Sequence, residues 1–455
     1  MNVAGTCTEK LIRITNPRRS LALAIHSTSS AVMSAAIPTE PFLLSAEGSG
    51  RATAYLESNK IITYQGRTHV TWLDTPPEGF RIRLRTFDHA TGQWSQIRTA
   101  GEAADNHGGP ALTVDARGYL HLVYYSHHHP FRYHRSVRPN DASEWGPMEE
   151  FGIHLTYPTL LCAKDGTLIL SARRSYDDKP WELEIWTRAP GGAWTQQPPV
   201  LRSRHPGYSQ FAASMAWAPD HQRLYLSFRV YEMPGYDNKI MDAITQVGCI
   251  TSPDAGRTWT RLDGTPLTLP ATIDQLDSIV RCDSREARIA DTGSMAVSPA
   301  GVPYLTYSIR TQEAAEAYLA SPLPEGRGWR HLQLNRFLPA DMRNQSMIMQ
   351  GGVVFNRAGQ PVVICTVVDQ AYGENFWGHP SHTLVQFDST DGGSTFVPKV
   401  LTPRDGREAR WLPNLEKPTG FNETSAHPGM IYTEGVSGGG LVDVLRNKVW
   451  WRVLE

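Results

Sequence analysis

The stretch Asp105–Ser136, DNHGGPALTVDARGYLHLVYYSHHHPFRYHRS, decides how the chain reads. It describes two β-strands, Pro110–Val114 and Tyr119–Tyr125, joined by the turn Asp115-Ala116-Arg117-Gly118. Aspartate and glycine favour a reversal there, because a short carboxylate accepts from nearby backbone N–H groups and glycine tolerates positive φ. In a hairpin, the residue before the first strand and the residue after the second lie at the same end. His107 and His127, 20 positions apart, are therefore predicted to sit side by side.

From about Asn59 onward the same pattern recurs seven times, as an apolar strand, a Gly or Asp turn and a second apolar strand. The hairpins are Asn59–Asp74, Gly109–Ser126, Tyr157–Arg174, Phe211–Val230, Gly293–Arg310, Gly351–Val368 and, most weakly, Pro428–Leu445. Shorter strand pairs follow some of them, at Arg81–Ile97, Leu183–Gln197, Cys249–Leu262 and Leu384–Pro398. Each unit thus holds about four strands, and repeats of this length mean stacked or radial arrays. The expected fold is all-β: a seven-bladed β-propeller of four-stranded antiparallel sheets, one domain over 40–455. The segment Glu40–Glu57 is expected to complete the last blade. A two-sheet sandwich does not account for seven repeats. Helical periodicity is almost absent, Thr311–Ala320 being the best short candidate.

Two segments support the propeller. Ser252-Pro253-Asp254-Ala255-Gly256-Arg257-Thr258-Trp259 has the form S-x-D-x-G-x-x-W, and Ser389–Phe396 repeats it with Phe in place of Trp. Both resemble the Asp-box of sialidase-type propellers, which implies that the Asp caps a turn and the aromatic packs between sheets. These aspartates are therefore structural candidates, not catalytic ones.

Composition narrows the function. The 455 residues carry a net charge of −1, so no basic excess points to nucleic acid. No window of 18 uninterrupted apolar residues exists, so no membrane partner is expected. Thirteen Trp and 17 Tyr, with 38 Gly and 32 Pro, suit a turn-rich β-protein with sugar-binding surfaces. Cys7, Cys162, Cys249, Cys282 and Cys365 are odd in number and widely spaced, which argues against a disulfide framework. Residues 1–39 read either as a disordered leader or as an export signal. Pro17-Arg18-Arg19-Ser20, the run Leu21–Ile25 and the small residues Ser34-Ala35-Ala36 come in the order of a signal, implying a secreted or periplasmic protein.

In a propeller blade the loops before strand one and after strand two share one face. That face collects Asp105, Asn106, His107, His127, Tyr157, Arg173 and Arg174 from the second and third units. It also collects Tyr208, Gln210, Arg229, Arg288, Asp291, Arg310, Asn344, Gln345, His379, His382 and His427 from the others. His128 and His129 read as solvated loop residues. The set is rich in His, Tyr and Arg and lacks a good carboxylate pair, which a two-carboxylate glycoside hydrolase would need. It suits removal of a proton α to a carboxylate: a cation neutralises a uronate, a Tyr or His takes the C5 proton, and a second group protonates the leaving O4. Such chemistry requires no cofactor.

At these residues the chain resembles the seven-bladed propeller polysaccharide lyases with neuraminidase-like (BNR) repeats, which include ulvan lyases and rhamnose–glucuronate lyases. The resemblance covers about Asn59–Leu445, and its specific part is Asp105–Arg173. It implies His107, His127, Tyr157 and Arg173 as the catalytic site, with Arg173 and His127 meeting the carboxylate and Tyr157 and His107 as base and acid in either order. Asn106, Tyr208, Arg229 and Arg310 are the expected substrate-binding residues. The resemblance also implies a structural zinc, or calcium, for which Cys282, His379, His382 and His427 are the candidate ligands. The implied partner is a uronic-acid-containing polysaccharide or oligosaccharide, acted on by a monomer. Two alternatives stay open: a rhamnosidase- or sialidase-like hydrolase, and a non-catalytic glycan-binding propeller. The sialidase F-R-I-P motif is missing, since Phe80-Arg81-Ile82-Arg83 lacks the proline.

Overall fold

The computed structural model describes residues 40–233, 243–324, 328–369, 377–423 and 425–455. Residues 1–39 lie outside them, as do 234–242 and 370–376. The described residues contain no α-helix, and every sheet is antiparallel.

The chain folds as a succession of antiparallel strand sets. The first hairpin, Ile61–Tyr64 with Arg67–Asp74, continues into Arg81–Asp88 and short outer strands. The second, Ala111–Val114 with Leu120–Tyr124, continues into His129–Arg135. The long strand Glu149–Cys162 then serves two sets, since one half pairs with His129–Arg135 and the other with Leu168–Arg174. The remaining sets are built on Ser209–Trp217, Pro303–Arg310, Ser346–Phe355 and Ala409–Leu415. The strand Phe42–Gly48 pairs with Asn447–Val453, so the start of the described chain completes its last sheet, as predicted.

The core lies between consecutive sheets. Leu161 and Ile169 pack with Phe211, Leu226 and Trp259. Ala317 and Leu319 pack with Val353, Val363 and Phe396. Leu44 and Trp451 pack with Ile61, Val70 and Trp72, which joins the last sheet to the first. Alternation sets this up: each strand sends every second side chain into one of two flanking interfaces.

The segment after Phe42–Gly48 ties several sheets together. Thr53 Oγ1 donates to the Leu412 carbonyl at 2.7 Å, Ser58 Oγ to Pro158 at 2.6 Å, and Asn59 Nδ2 to Leu160 at 2.7 Å. Below it, Lys60 is fully buried with Nζ directed at the carbonyls of Tyr55, Ser58 and Pro110. Burial presses its ammonium down to about 7, with Glu57 opposing.

Both Asp-boxes form. Asp254 Oδ1 accepts from the N–H groups of Arg257 and Thr258 at 3.1 and 2.8 Å, and Trp259 is buried. Asp391 repeats this with Ser394 and Thr395, both at 2.9 Å, over a buried Phe396. Asp254→Ala is expected to lower unfolding free energy by about 1–3 kcal/mol while leaving the distant site intact. Denaturant titration checks this.

Two expectations need correction. Thr311–Ala320 is not helical: Thr311 and Ala314 close a turn, and Ala315–Pro322 is a strand. Its alternation of buried Ala315, Ala317 and Leu319 with outward Glu316 and Tyr318 is a period of two. The last hairpin is also different. Gly429–Gly435 is a strand, but its partners are Ala409–Leu415 and Asn447–Val453. The intervening Gly438-Gly439-Gly440 run is a loop gathered on the Asp443 carboxylate, which accepts from Gly439 and Gly440 N–H at 2.6 and 2.8 Å. Glycines without side chains to pack favour the loop.

Candidate active site

The turn at Asp115 forms as read: Asp115 Oδ1 accepts from Arg117 and Tyr119 N–H at 2.9 Å each, and Gly118 takes φ +85. At the open end of the hairpin the imidazoles of His107 and His127 stack with centroids 3.9 Å apart and planes at 12°. Asp105 lies against both. Its Oδ2 is 2.5 Å from His127 Nδ1, and its Oδ1 is 3.4 Å from His107 Nδ1 and accepts the His107 backbone N–H at 2.7 Å. Burial alone would raise the Asp105 carboxyl, but the two imidazoles and the backbone donor outweigh it and hold it well below the usual carboxylate range. The anion thus fixes the Nδ1–H tautomer of both rings, leaving each Nε2 on the opposite edge.

The other edge of His107 meets residues outside the hairpin rule. Arg51 Nη1 donates to His107 Nε2 and, at 2.5 Å, to the Tyr55 hydroxyl. Burial lowers His107 to about 4, with Asp105 opposing and Arg51 assisting, so the ring is neutral at ordinary pH. Tyr55 lies 5.8 Å from His107 and packs edge-on against Tyr157 at 4.5 Å, centroid to centroid. Burial, then the neighbouring Tyr157, pushes its phenol well above the ordinary range.

Tyr157 stands at a bulge. The register of its strand against Leu168–Arg174 shifts between Thr156 and Thr159, and Tyr157 adopts φ +61. Pro158 provides no N–H at that point, so the break costs no ladder bond there. Tyr125, His127 and His128 also have positive φ, at 66, 114 and 60. Such clustering of uncommon backbone conformations is typical of functional sites. The Tyr157 hydroxyl accepts from Gln210 Nε2 at 3.2 Å.

Register places Arg173 opposite Thr156. Its guanidinium lies 4.7 Å from the Tyr157 ring and 4.8 Å from Trp181, and only 1% of the residue is exposed. The expected four catalytic side chains are therefore gathered at one end, with Arg173 beneath Tyr157 rather than beside it. His128 is not a solvated loop residue. Its Nε2 accepts from Arg173 Nη2 at 3.1 Å and its Nδ1 faces Ser175 Oγ at 2.5 Å. Burial, then Arg173, presses it down to about 3, so it is a neutral acceptor.

Of the expected substrate-binding residues, Arg229 and Arg310 converge on Asp291, Arg229 Nη1 at 2.5 Å, and Arg229 also bonds Gln210. With Tyr55, Glu57 and Trp377 they line a cavity of about 250 Å³. Tyr208 packs on Trp181 at 5.2 Å. Asn106 is buried, and its Nδ2 donates to the Gly440 carbonyl at 3.1 Å, so it docks the 436–446 loop. Arg174 points away, to Glu184 at 3.3 Å.

The four proposed metal ligands are not all brought together. Cys282 sits in the core with Val247 and Tyr307, whereas His382 packs on Trp411 and His427 is exposed beside Ser425. Cys282 and His427 thus lie apart from the loop that carries His379 and His382, in which the His382 N–H donates to the His379 carbonyl at 2.9 Å. Among the described residues, the His, Cys, Asp and Glu atoms close enough to share an ion belong to Asp105, His107 and His127.

A family model described as "BNR repeat-containing family member" matches residues 67–337. The chain belongs to the BNR repeat-containing family. This BNR-family chain is 23% identical over 207 residues to an ulvan lyase of Nonlabens ulvanivorans, a match covering 40% of the chain and 43% of that protein. It is 24% identical over 195 residues to an ulvan lyase of Pseudoalteromonas sp. (strain PLSV), covering 37% and 39%. The chain thus aligns with about two fifths of the length of these relatives. A solved ulvan lyase structure superposes with a TM-score of 0.67 at 17% identity, covering 90% of this chain and 95% of that one. A second, bound to "-[GlcA(1-4)Rha3S]-", gives 0.67 at 18% identity, again covering 90% and 95%. Both share the all-β, propeller-like architecture.

Asp105→Asn is expected to lower any turnover at this site by ~10²–10⁴-fold. The amide can accept from one Nδ1–H but must donate to the other ring, forcing the wrong tautomer there. Steady-state rates beside an unchanged melting curve check this.

Proposed function

We propose that this protein is a polysaccharide lyase, cleaving the bond to O4 of a uronic-acid residue by β-elimination in an ulvan- or rhamnose–glucuronate-type glycan. The observation that carries the reading is the meeting of the stacked His107–His127 pair with Tyr157 and Arg173 at one end of the sheets. The nearby carboxylates of Asp105 and Asp291 are each held by two basic side chains, an arrangement unsuited to a two-carboxylate hydrolase. The relatives named as ulvan lyases point the same way.

His107 Nε2 takes the C5 proton. The electrons of that C–H bond form the C4=C5 double bond as C4–O4 breaks, and the Tyr157 hydroxyl protonates the departing O4. Arg173 acts through Tyr157, its cation lying against the ring face. His127 lines the same end, and Tyr208, Arg229 and Arg310 receive flanking sugars. The step as written requires no metal. The architecture proposed for residues 40–455 is one seven-bladed ring, working as a monomer and closed by the pairing of Phe42–Gly48 with Asn447–Val453.

Incubation with ulvan, gum arabic, heparinoids and rhamnogalacturonan tests the reading. Unsaturated uronyl ends should accumulate, with their conjugated ultraviolet absorbance, on at least one glucuronate-containing glycan. New reducing ends without that absorbance would instead indicate a hydrolase.

A further inference from the structure

β-Elimination beside a carboxylate needs a cation that touches it, because the charge developing at C5 is delocalised onto that group. Arg173 is sealed under Tyr157 and Trp181, with 1% of the residue exposed. Arg229 and Arg310 are both engaged by the Asp291 carboxylate. Arg51 is different. It is partly exposed, and its guanidinium contacts the Tyr55 hydroxyl, His107 Nε2 and, at 5.4 Å, the Trp377 ring. Among the described residues no carboxylate lies within ion-pair distance of it. It is thus a cation beside the reacting groups whose hydrogen-bond partners there are neutral.

We propose that Arg51 binds the uronate carboxylate and, by doing so, releases the lone pair of His107 for proton abstraction. The inference rests on the lyase reading given above. In the free protein an Arg51 N–H occupies His107 Nε2, the atom that would act as base, since Asp105 faces Nδ1. A carboxylate is a stronger acceptor for guanidinium than an imidazole nitrogen, and it offers two oxygens to the fork. An arriving uronate therefore draws Arg51 off the ring. The released Nε2 faces the bound sugar, and the cation stays on the carboxylate as C5 loses its proton. A neutral sugar in the same place leaves the base capped. Substrate selection and activation then depend on one guanidinium, held by a segment that belongs to none of the repeated hairpins.

The test compares a 4-linked glucuronate oligosaccharide with its methyl ester, whose carbonyl is activated for C5 deprotonation without a neutralising cation. For Arg51→Gln, kcat/KM on the free acid should fall ~10²–10³-fold with KM raised. On the ester, which does not draw Arg51 off His107, the variant should be at least as active as the wild type. Arg51→Lys should recover part of the activity on the acid, since it restores the charge without the fork. Equal losses on acid and ester, or no benefit from lysine over glutamine in variants with wild-type melting curves, would overturn the proposal. Failure of the wild-type protein to form unsaturated product from any uronate would instead overturn the lyase reading beneath it.

Discussion

Tyr157→Phe is expected to lower turnover by ~10²–10⁴-fold, the usual contribution of a positioned proton donor, with little change in folding. The substitution removes one oxygen and leaves the ring. That ring still covers the Arg173 guanidinium at 4.7 Å and packs edge-on against Tyr55 at 4.5 Å. The one hydrogen bond lost is from Gln210 Nε2 at 3.2 Å, which contributes about 1 kcal/mol. Stability measured by denaturant titration should therefore be nearly unchanged while the rate collapses. Substrates with a more acidic leaving alcohol should regain part of it, because they need less help from a donor at O4. A variant as active as wild type would remove Tyr157 from the chemistry.

His107→Ala should cost as much, ~10²–10⁴-fold, for a different reason. The imidazole is the groups' meeting point: it stacks on His127, faces Asp105 through Nδ1 and accepts from Arg51 through Nε2. Here the leaving-group dependence should be unaltered, since the missing function is removal of the C5 proton. The pH profile gives a second check. A base works in its deprotonated form, and burial followed by the Arg51 charge holds His107 down to about 4. The acidic limb of kcat/KM in the wild-type protein, which reports the free enzyme, should thus lie near 4 rather than near an ordinary imidazole value. An alanine variant that keeps its rate, or a limb near the ordinary value, would contradict the assignment of His107 as base.

Much of this was legible in the sequence because it is local. The Asp115 turn fixes the hairpin, and the hairpin alone dictates that His107 and His127 meet. Tyr157 and Arg173 are carried to the same end by a second hairpin of the same design, and the Asp-boxes announce themselves by spacing. What escaped detection depends on contacts distant in sequence. Arg51 and Tyr55 lie in a segment without a repeat signature, which Thr53, Ser58 and Asn59 tie to other sheets through backbone carbonyls. His128 looked solvated because its neighbours in sequence are polar, yet Arg173 and Ser175 from the next hairpin enclose it. The four proposed metal ligands are not gathered at one point for a related reason. Sharing a face does not bring side chains together, and Cys282 and His382 are absorbed into separate cores. A run of glycines imitated a hairpin at 428–445, where the true partner strand lies beyond the loop.

The most direct measurement is the fate of solvent oxygen. A defined 4-linked glucuronate oligosaccharide is cleaved in water enriched in heavy oxygen, and both products are weighed by mass spectrometry. Elimination predicts product masses that sum to the mass of the substrate, no heavy oxygen formed into either new end during cleavage, and one product with a C4=C5 double bond. Products whose summed mass exceeds the substrate by one labelled water would mean hydrolysis and would contradict the account.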